Sequence, residues 1–234
     1  MLRQAGPMRD AVTAAEKFVK GHLAELAVDS SHDWWHIHRV RNLALEIGSR
    51  ENLPEPSLAV VEFAALLHDI KDWKYSKDAV TGADAVKEFL DSAVPLSVLS
   101  ETHRQEVVHI VRHIGFKDEL GAPGELPISK EFCVVQDADR LDAIGAVGIA
   151  RCLTFGGRFD RVLHDPHIPP RENLTKEQYT SATAKQTTIN HFHEKLLRLK
   201  GMMKTEAGRS LALARHQYME AFLERFHAEW EGKA

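Results

Sequence analysis

A chain of 234 residues with 44% hydrophobic and 27% charged residues has apolar material for one substantial core and no compositional sign of disorder. A formal charge of −4, with basic residues scattered rather than clustered, argues against a nucleic-acid groove and leaves small solutes as the expected partners. The N-terminus lacks the apolar stretch of a signal peptide, no later segment approaches a membrane span, and Cys133 and Cys152 read as core residues of a reducing compartment, so the cytoplasm is expected.

Apolar residues at Val12, Ala15, Val19, Leu23 and Leu26 predict a first amphipathic helix over Met8 to Ala27. Asp33 is a good N-cap for a second, running to about Glu51, with His36, Val40, Leu43 and Ile47 as its buried stripe. An imidazole thus stands where a core residue belongs, while His38 points elsewhere. Pro54 and Pro56 precede a third helix in which Val61, Ala64, Ala65 and His68 share a face. Asp69 is adjacent, and a helix continuing through Asp72 would bring three ligand-type side chains to one patch.

Ala79 to Ala93 and Glu101 to Ile114 read as two further helices separated around Pro95, the second carrying His109 and His113 along its edge. A polar loop ends near Ser129, where a sixth helix begins with Phe132, Val135, Asp139, Asp142 and Ala146 on one stripe. The stretch Phe159 to Asn173, with three prolines, reads as a long functional loop. Helices over about Lys176 to Met203 and Glu206 to Trp230 complete an all-α chain with no convincing strand pattern and no internal repeat.

Burying polar side chains on apolar stripes is costly unless something compensates, and a divalent cation is the common compensation. His36, His68, Asp69 and Asp139 fall on or beside core-facing stripes of three helices. Mixed nitrogen and oxygen ligands suit Mn²⁺, Fe²⁺, Co²⁺ or Zn²⁺, with Mg²⁺ less natural. Such an ion acidifies water and polarises a phosphoryl oxygen as a Lewis acid.

The runs Asp33-Trp34-Trp35-His36-Ile37-His38-Arg39-Val40, His68-Asp69 and Asp137-Ala138-Asp139-Arg140-Leu141-Asp142 resemble the HD superfamily of metal-dependent phosphohydrolases. The resemblance implies a single compact helical HD domain over residues 1–234, its metal-site core at about 30–145 and C-terminal helices at about 176–231 packed on it. It implies His36, His68, Asp69 and Asp139 as metal ligands, Asp139 being chosen over Asp137 and Asp142 because Arg140-Leu141 follow it. His68 to Lys74, the run from Asp137 to Gly157, the Asp165 to Asn173 loop and Thr187 to Leu197 further resemble the small stand-alone YpgQ-like branch, which is associated with nucleoside triphosphate pyrophosphohydrolysis. The Gly-Tyr-Pro signature of the cyclic-dinucleotide phosphodiesterases is missing. Ile70-Lys71-Asp72 also departs from the Glu-Asp pair of the stringent-response hydrolases.

The expected activity is therefore hydrolysis of (deoxy)nucleoside triphosphates to monophosphate and pyrophosphate by a cytoplasmic hydrolase using a divalent metal, with manganese favoured. Asp72 is the expected general acid or base, and His113 is expected to donate to a phosphoryl oxygen or to orient the nucleophile. Arg39, Lys71, Lys74, Arg140 and Lys195 are the expected substrate contacts, Arg39 and Arg140 being equally suited to anchoring a ligand carboxylate. A nucleoside 5′-monophosphatase or phosphodiesterase with the same cage is the enzymatic alternative, and a non-catalytic metal- or nucleotide-binding module the other. Neither nucleic acid nor a membrane is expected as a partner, and an exposed apolar helix face would allow a homodimer.

Overall fold

The helical periods foreseen in the sequence are realised in a computed structural model that describes residues 6–25, 33–70, 82–119, 128–172, 175 and 186–233. Helices α1 (Pro7–Glu25), α2 (Trp34–Arg50) and α3 (Glu55–Leu67) are followed by α4 (Gly82–Ala93) and α5 (Glu101–His113). After a 3₁₀ turn (Phe116–Glu119) come α6 (Lys130–Asp142), α7 (Gly145–Arg158), the short α8 (Asn190–Glu194), a second 3₁₀ segment (Leu196–Met202) and α9 (Glu206–Trp230). Among the described residues the only β feature is an isolated parallel bridge between Val162 and Thr187, so the fold is all-α.

The centre is α3, in which every residue from Ala59 to Leu67 is buried. A helix apolar on all sides must be surrounded, and α1, α2, α5 and α6 pack around it. Its one buried charge, Glu62, is held by Arg41 of α2, whose Nε donates to Glu62 Oε1 at 2.8 Å and whose Nη1 reaches Glu16 of α1 at 2.9 Å. Three helices are thereby pinned at one guanidinium.

The C-terminal helix is tied to α6 by a buried carboxylate. Asp137 accepts the backbone N–H groups of Lys204 and Thr205 and the Thr205 hydroxyl at 2.7–3.0 Å, and that hydroxyl in turn caps α9 by accepting from Gly208 N. A Cβ on Gly208 would lie 2.3 Å from Asp137 Oδ2, so this approach requires glycine.

Three expectations are corrected. The third helix does not run through Asp72: it ends at Leu67, with His68 as C-cap and Asp69 in the following turn, while Asp72 falls outside the described residues. The sixth helix is two, because Ile144 is extended and Gly145 takes φ +75°; Ala146 accordingly leaves the buried stripe and is exposed. The described part of Lys176 to Met203 is a five-residue helix and a 3₁₀ segment, not one long helix. The predicted start of α4 at Ala79 lies outside the described residues, and both cysteines are only half-buried.

Candidate metal centre

Local structure aims each donor. Asp33 caps α2 by accepting His36 N at 3.0 Å, which places His36 in the first turn on the face that carries Ile37, Val40, Ala44 and Ile47 into the core. The end of α3 puts His68 and Asp69 in the turn where the central helix emerges from the core. The last turn of α6, packed against both α2 and α3, contributes Asp139 and Asp142.

The two imidazoles face each other, His36 Nε2 and His68 Nε2 standing 3.3 Å apart. Asp69 Oδ2 lies 3.9 Å from His36 Nε2, and Asp139 Oδ1 lies 3.5 Å from His36 Nε2 and 3.7 Å from His68 Nε2. His36, His68 and Asp69 each offer one donor atom within 4.8 Å of the others.

The opposite nitrogens define what these atoms carry. His68 Nδ1 is 2.9 Å from the carbonyl of Ala65, which can only accept, so Nδ1 bears the proton. His36 Nδ1 is 2.8 Å from Asp142 Oδ2. Burial works to raise the Asp142 carboxyl, but hydrogen bonds from His36 and Arg39 and the charge of Arg151 outweigh it and hold Asp142 far below the usual carboxylate range. An anionic Asp142 accepts the Nδ1 proton and leaves the His36 Nε2 lone pair turned inward.

Two nitrogen lone pairs and two carboxylates converging on one point repel one another unless a cation lies among them. Two nitrogens each about 2.1 Å from a shared ion at a tetrahedral angle would be about 3.4 Å apart, close to the separation here. The donor set therefore fits a divalent metal. The His36 and His68 side chains are buried, at 2% and 3% exposure, whereas Asp69 is 17% and Asp139 33% exposed, so the centre opens on its carboxylate side.

Arg39 grips Asp142 with two donors, Nε to Oδ1 at 2.7 Å and Nη2 to Oδ2 at 3.0 Å, and Arg151 of α7 adds a third at 3.1 Å. Arg39 thus holds a carboxylate, Asp142, in the same last turn of α6 as Asp139. Arg140 is directed elsewhere: it is buried, donating to Met202 O and pairing with Glu119, so its substrate-contacting role is not supported by its position. His113 ends α5 against His109, and that end docks on α6 where Gln136 donates to Ile114 O at 3.1 Å, three residues before Asp139. Lys195 holds its ammonium 5.2 Å above the Phe116 ring. Lys71, Asp72 and Lys74 lie outside the described residues.

The roles of Asp142 and Arg151 emerge only in the structure. Asp142 carried a signal, since it shares the buried stripe with Asp139. Arg151 carried none, because its approach depends on the break at Ile144 and Gly145.

The HD-domain family profile matches residues 34–144, the segment that contains all four converging donors. YpgQ of Bacillus subtilis is 38% identical over 203 residues, covering 87% of this chain and 86% of that protein. Among solved structures, a Lactobacillus plantarum protein superposes with a TM-score of 0.78 at 34% identity, covering 95% of this chain and 97% of its own. B. subtilis YpgQ in complex with ADP superposes with a TM-score of 0.70 at 32% identity, covering 96% and 97%. An HD-superfamily hydrolase from Bacillus thuringiensis does so with a TM-score of 0.69 at 36% identity, covering 96% and 98%.

Proposed function

Because the chain belongs to the HD family of hydrolases and is related to YpgQ over most of its length, we propose that it is a metal-dependent phosphohydrolase releasing pyrophosphate from (deoxy)nucleoside triphosphates. The observation that carries the reading is the convergence of the His36 and His68 Nε2 lone pairs with Asp69 and Asp139, each imidazole locked by a partner on Nδ1. The ADP complex of YpgQ supports a nucleotide as the ligand class.

A divalent ion held by His36, His68, Asp69 and Asp139 supplies Lewis acidity toward a phosphoryl oxygen and toward water; manganese is our preferred ion. The protein does the rest. Asp142, clamped by Arg39 and Arg151, fixes the orientation and tautomer of His36. The buried imidazoles close the inner side of the site, so the nucleotide enters past the partly exposed Asp69 and Asp139. We assign proton transfer to Asp72, three residues beyond Asp69, and orientation of the phosphoryl group to His113. Lys71 and Lys74, on either side of Asp72, are assigned to the phosphates as point charges.

The decisive experiment is product analysis with a panel of nucleotides in Mn²⁺, Co²⁺, Mg²⁺ or no metal. Nucleoside monophosphate with pyrophosphate, formed only with metal, is expected. Orthophosphate as the sole inorganic product would overturn the reading in favour of a phosphatase.

A further inference from the structure

The connection after α7 is stitched back onto the segment leading into α8. Thr188 N donates to Val162 O at 2.9 Å and Ile189 N to Leu163 O at 3.0 Å, while Arg161 N donates to Gly156 O at 2.9 Å. Arg161 and the α8 turn carrying His191 and Lys195 are thereby brought together. Both long cations rest on aromatic faces: the Arg161 guanidinium is 5.1 Å from the Phe155 ring centre and the Lys195 ammonium 5.2 Å from that of Phe116. Such seats hold a cation in place without cancelling its charge.

The charges here are not balanced. The buried carboxylate next to Lys195 in sequence, Glu194, is taken by Arg171, which reaches it through Nε at 2.9 Å, Nη2 at 2.7 Å and the backbone N–H at 3.0 Å. Among the described residues no carboxylate forms an ion pair with Arg161 or Lys195, and both side chains are only half-buried, hence open to a ligand. His191 adds no charge of its own at neutral pH: burial, then the fields of Lys195, Arg161 and Arg171, push it down to about 3. Holding two cations beside a neutral imidazole, with the local carboxylate already engaged, costs electrostatic energy that a multivalent anion would offset. The Cys152 thiol in the same neighbourhood, raised by burial to about 12 despite Arg161 and Lys195, stays neutral and adds no competing anion.

The place suits the tail of a nucleotide. Cys152, whose thiol lies in the field of Arg161 and Lys195, follows Arg151, which braces Asp142 behind the metal donors, and Arg161 lies three residues past the end of the same helix, α7. Helix α7 thus connects the cation cluster to the brace behind the metal donors.

We propose that Arg161, Lys195 and His191 form a subsite for the pyrophosphate portion of a nucleoside triphosphate, holding it through the departure of the monophosphate. This rests on the pyrophosphohydrolase reading. The test uses Arg161→Gln and Lys195→Gln, which remove charge but keep a stem over each ring, with pyrophosphate as the probe by calorimetry, on protein with metal bound and after chelator treatment. Each variant is expected to lose about tenfold or more in pyrophosphate affinity, and to show a raised KM for triphosphate with a smaller change in kcat. A wild-type protein that releases pyrophosphate from triphosphates, with variants of unchanged KM and pyrophosphate affinity, would overturn the subsite and leave the reaction standing. A wild-type protein that does not release pyrophosphate, yet binds it in a manner lost in both variants, would support the subsite and overturn the reaction. Melting curves matching wild type identify the loss as local, and if either variant is unfolded Arg161→Lys, expected to retain binding where Arg161→Gln does not, serves in its place.

Discussion

At His36 the imidazole is held from behind by a carboxylate that is itself held by two arginines, and the ring has little freedom to turn its lone pair away from the site. Asp142→Asn removes the anion and leaves Arg39 and Arg151 without their shared partner. A loss of about 10- to 100-fold in metal affinity is expected, read by metal titration. An unchanged affinity would mean that packing alone orients His36. Truncating a donor is harsher: Asp69→Ala should abolish metal-dependent turnover while circular dichroism stays helical, which also separates an enzyme from a passive binding module. A different residue sets the pH response. His191 binds its proton far less readily folded than unfolded, so the unfolded chain carries more protons between about pH 6.5 and about 3. Stability should therefore fall as pH falls through that window, and His191→Gln should flatten the slope in denaturation curves taken across it.

Helix ends decide more here than helix interiors. The apolar run of α3 is plain in the sequence, but where it stops is set by the turn at His68 and Asp69, and that turn separates the pair from the helical register expected to carry Asp72. The division between α6 and α7 has the same character: Gly145 at φ +75° lets the chain redirect, and the new direction brings Arg151 back to Asp142. The start of α9 depends on Asp137, whose oxygens hold Lys204 and Thr205, and on the missing side chain of Gly208. Gly208→Ala would drive a methyl group into that carboxylate and should destabilise the protein by about 2–4 kcal/mol. Gly201→Ala, which meets nothing within 4 Å, should change stability by less than about 1 kcal/mol. Chemical denaturation of the two variants side by side checks the contrast.

For the molecule as a whole, the candidate metal donors come from α2, the end of α3 and α6, so an ion held by all of them would bind the folded arrangement and not the unfolded chain. Metal at about 100 times its dissociation constant should add about 2.7 kcal/mol, which for a protein of this size is several degrees in melting temperature. Removal of the ion by a chelator should reverse the shift, and Asp69→Ala should show none. No described helix is long and apolar enough to cross a membrane. The all-α class and the core faces of α1, α2 and α5 were legible from residue spacing, because a helix buried on one side records its period in sequence. So was the candidate set of His36, His68, Asp69 and Asp139, as polar residues on or beside apolar stripes that the fold brings near one another. The clamp on Asp142, the diversion of Arg140 to Glu119 and Met202, and the gathering of Arg161 with Lys195 were not legible. Each joins residues distant in sequence through long side chains or irregular backbone, for which no local period exists. The sequence by itself determined the all-α class and which polar residues stand on or beside apolar stripes; only the tertiary structure decided which arginines serve the candidate centre and which serve the scaffold, since a guanidinium's role depends on the carboxylate that packing brings within its reach.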